Sequence, residues 1–131
     1  MPVNKDRALD VPLDDDTLKR AEEMCSGLSL SLSIEKRGQT RLYQGMLDDL
    51  NVIDRRPRQV TVAETPDHPH LTLICPEVLG ESSHALLVFR SEDGRSRKLL
   101  GKHRSSRPGL RADDEPGTQV AEFAVDRSIE Q

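Results

Sequence analysis

Eight basic side chains crowd one stretch of the sequence: Arg90, Arg95, Arg97, Lys98, Lys102, Arg104, Arg107 and Arg111, against only Glu92 and Asp93. Such a density of cations attracts polyanions, and each phosphate neutralised on a nucleic acid releases a counterion. The stretch holds no Phe, Tyr or Trp, so unpaired bases would have nothing to stack on. The competing reading is a solvated hairpin tip, screened by acidic ends of the chain within a Debye length of about 8–10 Å. Arg90, Arg95, Arg97, Lys98, Lys102, Arg104 and Arg107 are the residues expected to meet a partner or a polyanion.

Asp67-His68-Pro69-His70, with Cys75 five residues on, is the densest group of metal-capable side chains. A transition-metal site needs three or four convergent ligands. His70 and Cys75 are an odd number of residues apart and point to opposite sides of a strand, and Pro69 keeps the histidines off a shared helical face. Glu77, Glu81 and His84 share one connection and are explained by surface placement. Cys25 and Cys75 match no metal or redox spacing and read as two buried thiols. No Gly-rich phosphate loop, GxSxG or HExxH occurs. The expectation is no enzyme, no metal and no cofactor.

The element that must carry the basic stretch is a hairpin over Ala85–Gly101. Asp93-Gly94 between two apolar runs predicts a two-residue turn, because both central residues of such a turn need φ > 0. That turn pairs Arg90 with Arg97, Val88 with Leu99 and Leu87 with Leu100. One face then carries Leu86, Val88 and Leu99, the other Leu87, Phe89 and Leu100. Apolar groups on both faces mark a central, covered hairpin.

Upstream, Asp14-Asp15-Asp16 caps a helix of about ten residues in which Leu18, Ala21 and Cys25 fall on one face beside Met24, with Ser26-Gly27 as its stop. Leu28–Ile34 alternates Leu or Ile with Ser throughout and predicts a half-buried strand. Arg41–Leu47 reads as a strand with Gly45 as a bulge, although Leu42, Tyr43, Met46, Leu47 and Leu50 also fit a helical stripe. Gln59–Ala63 and His70–Cys75 are further strands. Gln119–Val125 is a strand or an amphipathic tail whose Val120 and Phe123 could dock on the body.

The chain has 131 residues, one Tyr, two Phe and no Trp, so its core must be built from Leu, Val and Ile. Net charge is −4, distributed as a basic centre between acidic ends. The fold class expected is α+β: an antiparallel sheet of five to six strands with a short N-terminal helix and flexible termini. Residues 1–13 read as an arm, 14–101 as the domain, 102–117 as a basic-to-acidic linker and 118–131 as a C-terminal strand or tail. The tail is expected to gate the basic segment and to leave the fold unaffected when removed. No apolar run approaches a membrane span and the first twenty residues lack a signal-type apolar core, which makes the cytoplasm the expected compartment. The function expected is a non-catalytic protein–protein interaction module, an adaptor, regulator or chaperone-like protein. Its uncovered sheet face or edge would take another protein or a second copy. Nucleic acid, held by residues 90–111, is the alternative partner.

Overall fold

The computed structural model describes residues 15–27, 35–50, 57–91, 94–109 and 117–129. Asp15–Ser26 form the one helix, α1, among the described residues. The strands among the described residues are β1 (Glu35–Arg37), β2 (Thr40–Asp49), β3 (Arg58–Glu64), β4 (Leu71–Cys75), β5 (Ser82–Arg90), β6 (Ser96–His103), β7 (Arg107–Pro108) and β8 (Gln119–Ser128). The predicted strand at Leu28–Ile34, the arm at 1–13 and residues 110–116 of the predicted linker lie outside the described residues.

β2, β3 and β4 are successive antiparallel neighbours. The chain then crosses, and β5 pairs with the other edge of β2, placing Met46 opposite Val88 and Leu47 opposite Leu87. This is a Greek key, in which the fourth strand returns to lie beside the first. β6 pairs with β5, and β8 lies between β6 and β4. The circuit β2-β3-β4-β8-β6-β5 therefore closes on β2 as a six-stranded barrel. β1 continues along the edge of β2 beyond the end of β5, and β7 adds to the start of β8.

The structure thus replaces the expected α+β open sheet with an almost all-β closed barrel and one exterior helix. Closure rests on β2 using both of its edges. At Gly45, where β3 and β5 flank it, a Cβ would stand 3.0 Å from both Val62 Cγ2 and the Val88 carbonyl. The missing side chain lets three backbones approach as the sheet curls. Closure also removes the free barrel edges on which strand addition had been expected. Tyr43, Leu47, Val62, Leu73, Leu87, Phe89, Leu99 and Phe123 fill the interior, each contributing about 1.5–3 kcal/mol by leaving water.

The central hairpin is covered on both faces, as expected, but its register differs by one residue. Arg90 pairs with Ser96, Val88 with Lys98 and Leu87 with Leu99. Ser91 N–H donates to the Arg95 carbonyl and Gly94 N–H to the Ser91 carbonyl, both at 2.9 Å, and Gly94 has φ +84°. Three residues therefore separate the closing pair, with Gly94 in the left-handed conformation that ends such loops. A slip of one exchanges faces. Leu99 joins Leu87 and Phe89 inside, and Leu100 faces outward opposite Leu86.

On the barrel exterior, Ala21, Met24 and Cys25 of α1 cover Leu86 and Val88, with Met46, Leu50 and Ile129 packed around them. Leu18, expected on that face, is only half-buried. β8 is a full barrel strand whose Phe123 is buried. Residues 119–128 therefore support the fold, against the expectation that the tail could be removed without effect on it. His103 and Arg107-Pro108 of the predicted linker likewise belong to strands. Among the described residues no helix is long and apolar enough to cross a membrane.

Candidate functional site

One end of the barrel is open. Its wall is the turn between β3 and β4, Thr65–His70, where Asp67 adopts φ 66°. Gly38 and Gln39, between β1 and β2, form the facing rim. Thr40 and Thr65 hydroxyls, 2.8 Å apart, tie the two rims together. His68 Nδ1 donates to the His70 carbonyl at 2.7 Å, which folds the wall on itself. The mouth encloses about 680 Å³. Leu71 and Leu99 form its floor and Val125, 42% exposed, its apolar lip.

Three charged side chains stand above this floor. Arg41 and Glu64 are directly opposite across β2 and β3. Arg97 reaches in from β6, and its Nη1 donates to Glu64 Oε2 at 3.0 Å. The same guanidinium lies 5.1 Å from the centroid of the Phe89 ring, a cation–π contact. Phe89 is itself packed against Tyr43, with ring centroids 5.3 Å apart. Arg97 is thus held by an ion pair on one edge and a buried ring beneath. His70 lines the mouth half-buried, and its Nδ1 has no hydrogen-bond partner among the described residues.

Of the basic residues singled out in the sequence, Arg111 lies outside the described residues and the other seven do not converge. Arg90 donates Nε and Nη2 to the Cys25 carbonyl at 3.3 and 3.1 Å, pinning the end of α1. Arg95 is exposed in the hairpin loop, and Arg97 stands in the mouth. Lys98 is buried on the outward face opposite Val88. Lys102 is half-buried, and Arg104 and Arg107 are exposed past the far end of β6. Strand period and strand length explain the spread, since eight residues of β6 alternate faces over about 26 Å.

The far end of the barrel holds a second polar arrangement. His103 Nε2 donates to Asp49 Oδ1 at 2.7 Å, and the imidazole is fully buried. Leu79 is buried in the same core, and it exchanges hydrogen bonds with Ser106. His103 therefore has no surface from which to touch a substrate. Of the other groups considered for chemistry, Glu77 pairs with Arg58 at 3.3 Å and Cys75 is buried. Burial pushes the Cys75 thiol up, with the Glu77 backbone opposing it. Among the described residues no three His, Cys, Asp or Glu side chains gather as a metal site.

Sequence reasoning found Arg97 but missed Arg41, Glu64 and the Asp49–His103 pair. Nothing local marks these residues, because the pairings that unite them join strands far apart in the chain. No family model, curated protein or solved structure matches the chain.

Proposed function

We propose that the chain is a non-catalytic binding module that docks a segment of another protein at the open barrel mouth. The observation that carries this reading is a 680 Å³ opening with an apolar floor and a fixed charged rim. That volume lies within the ~300–1,000 Å³ of ligand-binding clefts, which combine apolar walls with a few oriented polar groups. Val125 supports it further, as one of two large apolar side chains left exposed among the described residues. The buried His103–Asp49 pair is structural in this reading and holds the far end together.

The test is affinity capture with the whole chain, a mouth-filling Val125→Arg variant and a far-end Arg104→Glu variant, both confirmed folded by circular dichroism. A protein held by the parent and Arg104→Glu but lost from Val125→Arg is the expected result. Equal retention by all three overturns the mouth as the site. Retention that nuclease abolishes, and that Arg104→Glu weakens, replaces the proposal with nucleic-acid binding through the basic segment.

A further inference from the structure

We infer that the mouth recognises a free carboxylate attached to an apolar group, and specifically the C-terminal end of a partner chain whose last side chain is aliphatic. The inference rests on the mouth being the binding site and names the chemistry that it selects. Arg97 carries it. Its Nη1 is engaged by Glu64 at 3.0 Å and its Cζ lies over the Phe89 ring, 5.1 Å from the centroid. Among the described residues, Nε and Nη2 make no hydrogen bond.

That leaves the Nε–Nη2 edge of a pre-oriented guanidinium, two parallel donors matched to the two oxygens of a carboxylate. The entropy of fixing the arginine is already lost to the ion pair and the ring, so an incoming acid gains more of the interaction. Glu64 would repel a second carboxylate if Arg97 were the only cation. Arg41 and Arg97 match Glu64 and Asp67 in number around the mouth, so selection of an acid rests on the directed fork of Arg97 and not on surplus positive charge. Beneath the acid, Leu71 and Leu99 close the bottom of the mouth and the half-exposed Val125 gives it an apolar side. A chain end supplies both parts on adjacent bonds, whereas a backbone segment passing through supplies no carboxylate.

The experiment is a titration of the whole isotope-labelled chain followed by amide chemical shifts. The ligands are N-acetyl-glycyl-leucine with a free carboxylate, the same peptide as its C-terminal amide, and isocaproate. The acid peptide is expected to shift Gly38, Gln39, Thr65 and Val125 and to bind at least about tenfold more tightly than the amide, the scale of a charge-assisted pair. Arg97→Gln should abolish that preference, and Arg97→Lys should retain only part of it, because lysine keeps the charge and loses the fork. Acid and amide acting equally on the mouth overturn the carboxylate inference and leave the binding site standing. Isocaproate binding as tightly as the acid peptide overturns the chain-end assignment in favour of a free small acid. Shifts confined to residues away from the mouth, or none from any ligand, overturn both. The acid–amide comparison is made on the parent chain, so it holds whether or not the Arg97 variants fold.

Discussion

His103 and Asp49 meet at 2.7 Å across the barrel interior, at the end opposite the mouth. Asp49 and its neighbour Asp48 lie on opposite faces of β2, as the period of two requires. Asp48, fully buried on the exterior face, lies 3.6 Å from Arg20 of α1. One Asp-Asp dipeptide thus fastens the barrel interior to β6 and the barrel exterior to the helix.

Breaking the interior pair should cost stability and leave binding at the mouth intact. Hydrogen bonds to charged groups contribute about 1.5–3 kcal/mol, and a buried partner left unsatisfied adds to the loss. Asp49→Asn and His103→Gln should each lower the urea midpoint. The double variant should cost less than the sum, because the second change removes a partner that is already orphaned. Additive losses would show that the two residues act independently.

Much of the strand content was legible in the sequence. Val60 and Val62 alternate, as do Leu71 and Leu73, and each alternating set is inward in the structure. Strand adjacency was not, because alternation states a face and carries no information about the neighbouring strand. β2 and β5 pair across some forty residues of chain, and that pairing turns a sheet into a barrel. The site was illegible for the same reason. Arg41, Glu64 and Arg97 lie on three strands, and only the closed circuit brings them to one rim. The hairpin slip had a narrower cause. Asp93-Gly94 suits both two- and three-residue loops, and the one-residue difference decides whether Leu99 or Leu100 is inside.

A chain ending after Arg111 should not fold. It lacks β8, so β4 and β6 lose their shared neighbour and the barrel opens. Loss of Phe123 alone should cost about 3–5 kcal/mol, a large share of the 5–15 kcal/mol that holds a domain together. Far-ultraviolet circular dichroism of the truncated chain checks this, and a cooperative melt near the parent temperature would refute it.

Gly101 faces β8 so closely that a Cβ would meet the Ala124 carbonyl and stand 2.9 Å from Phe123 Cζ. Backbone on one side and a buried ring on the other leave little room for adjustment. Gly101→Ala should destabilise by about 3 kcal/mol, the upper range for overpacking, whereas Gly80→Ala, with open space around it, should be near neutral. Chemical denaturation of the two variants decides the matter.

Cys75 should be inert while the barrel is closed. Burial raises its pKa above the ordinary 9.0, the Sγ–H donating weakly to the Gln59 carbonyl at 3.7 Å. A folded pKa above the unfolded one means a stabilising contribution that is whole below the unfolded value and is lost as pH climbs through the raised value. In a Cys25→Ala background, iodoacetamide at pH 8 should modify Cys75 at least about tenfold more slowly in buffer than in denaturant. Equal rates would place the thiol in contact with solvent.

Arg90 should control how firmly α1 holds to the barrel. Its two N–H groups converge on the Cys25 carbonyl, at the helix end where backbone acceptors lack partners within the helix. A cation there also offsets the negative end of the helix dipole, and the last turn of α1 has no basic residue of its own. Arg90→Ala removes both effects, a loss of about 1.5–3 kcal/mol, which falls on the helix because the barrel hydrogen bonds are untouched. Amides of Ala21, Met24 and Cys25 should then exchange faster with solvent while those of Leu87 and Leu99 keep their parent rates. The uncovered Leu86 and Val88 should raise binding of a hydrophobic dye. Uniformly faster exchange across helix and barrel would mean that α1 and the barrel unfold as one unit.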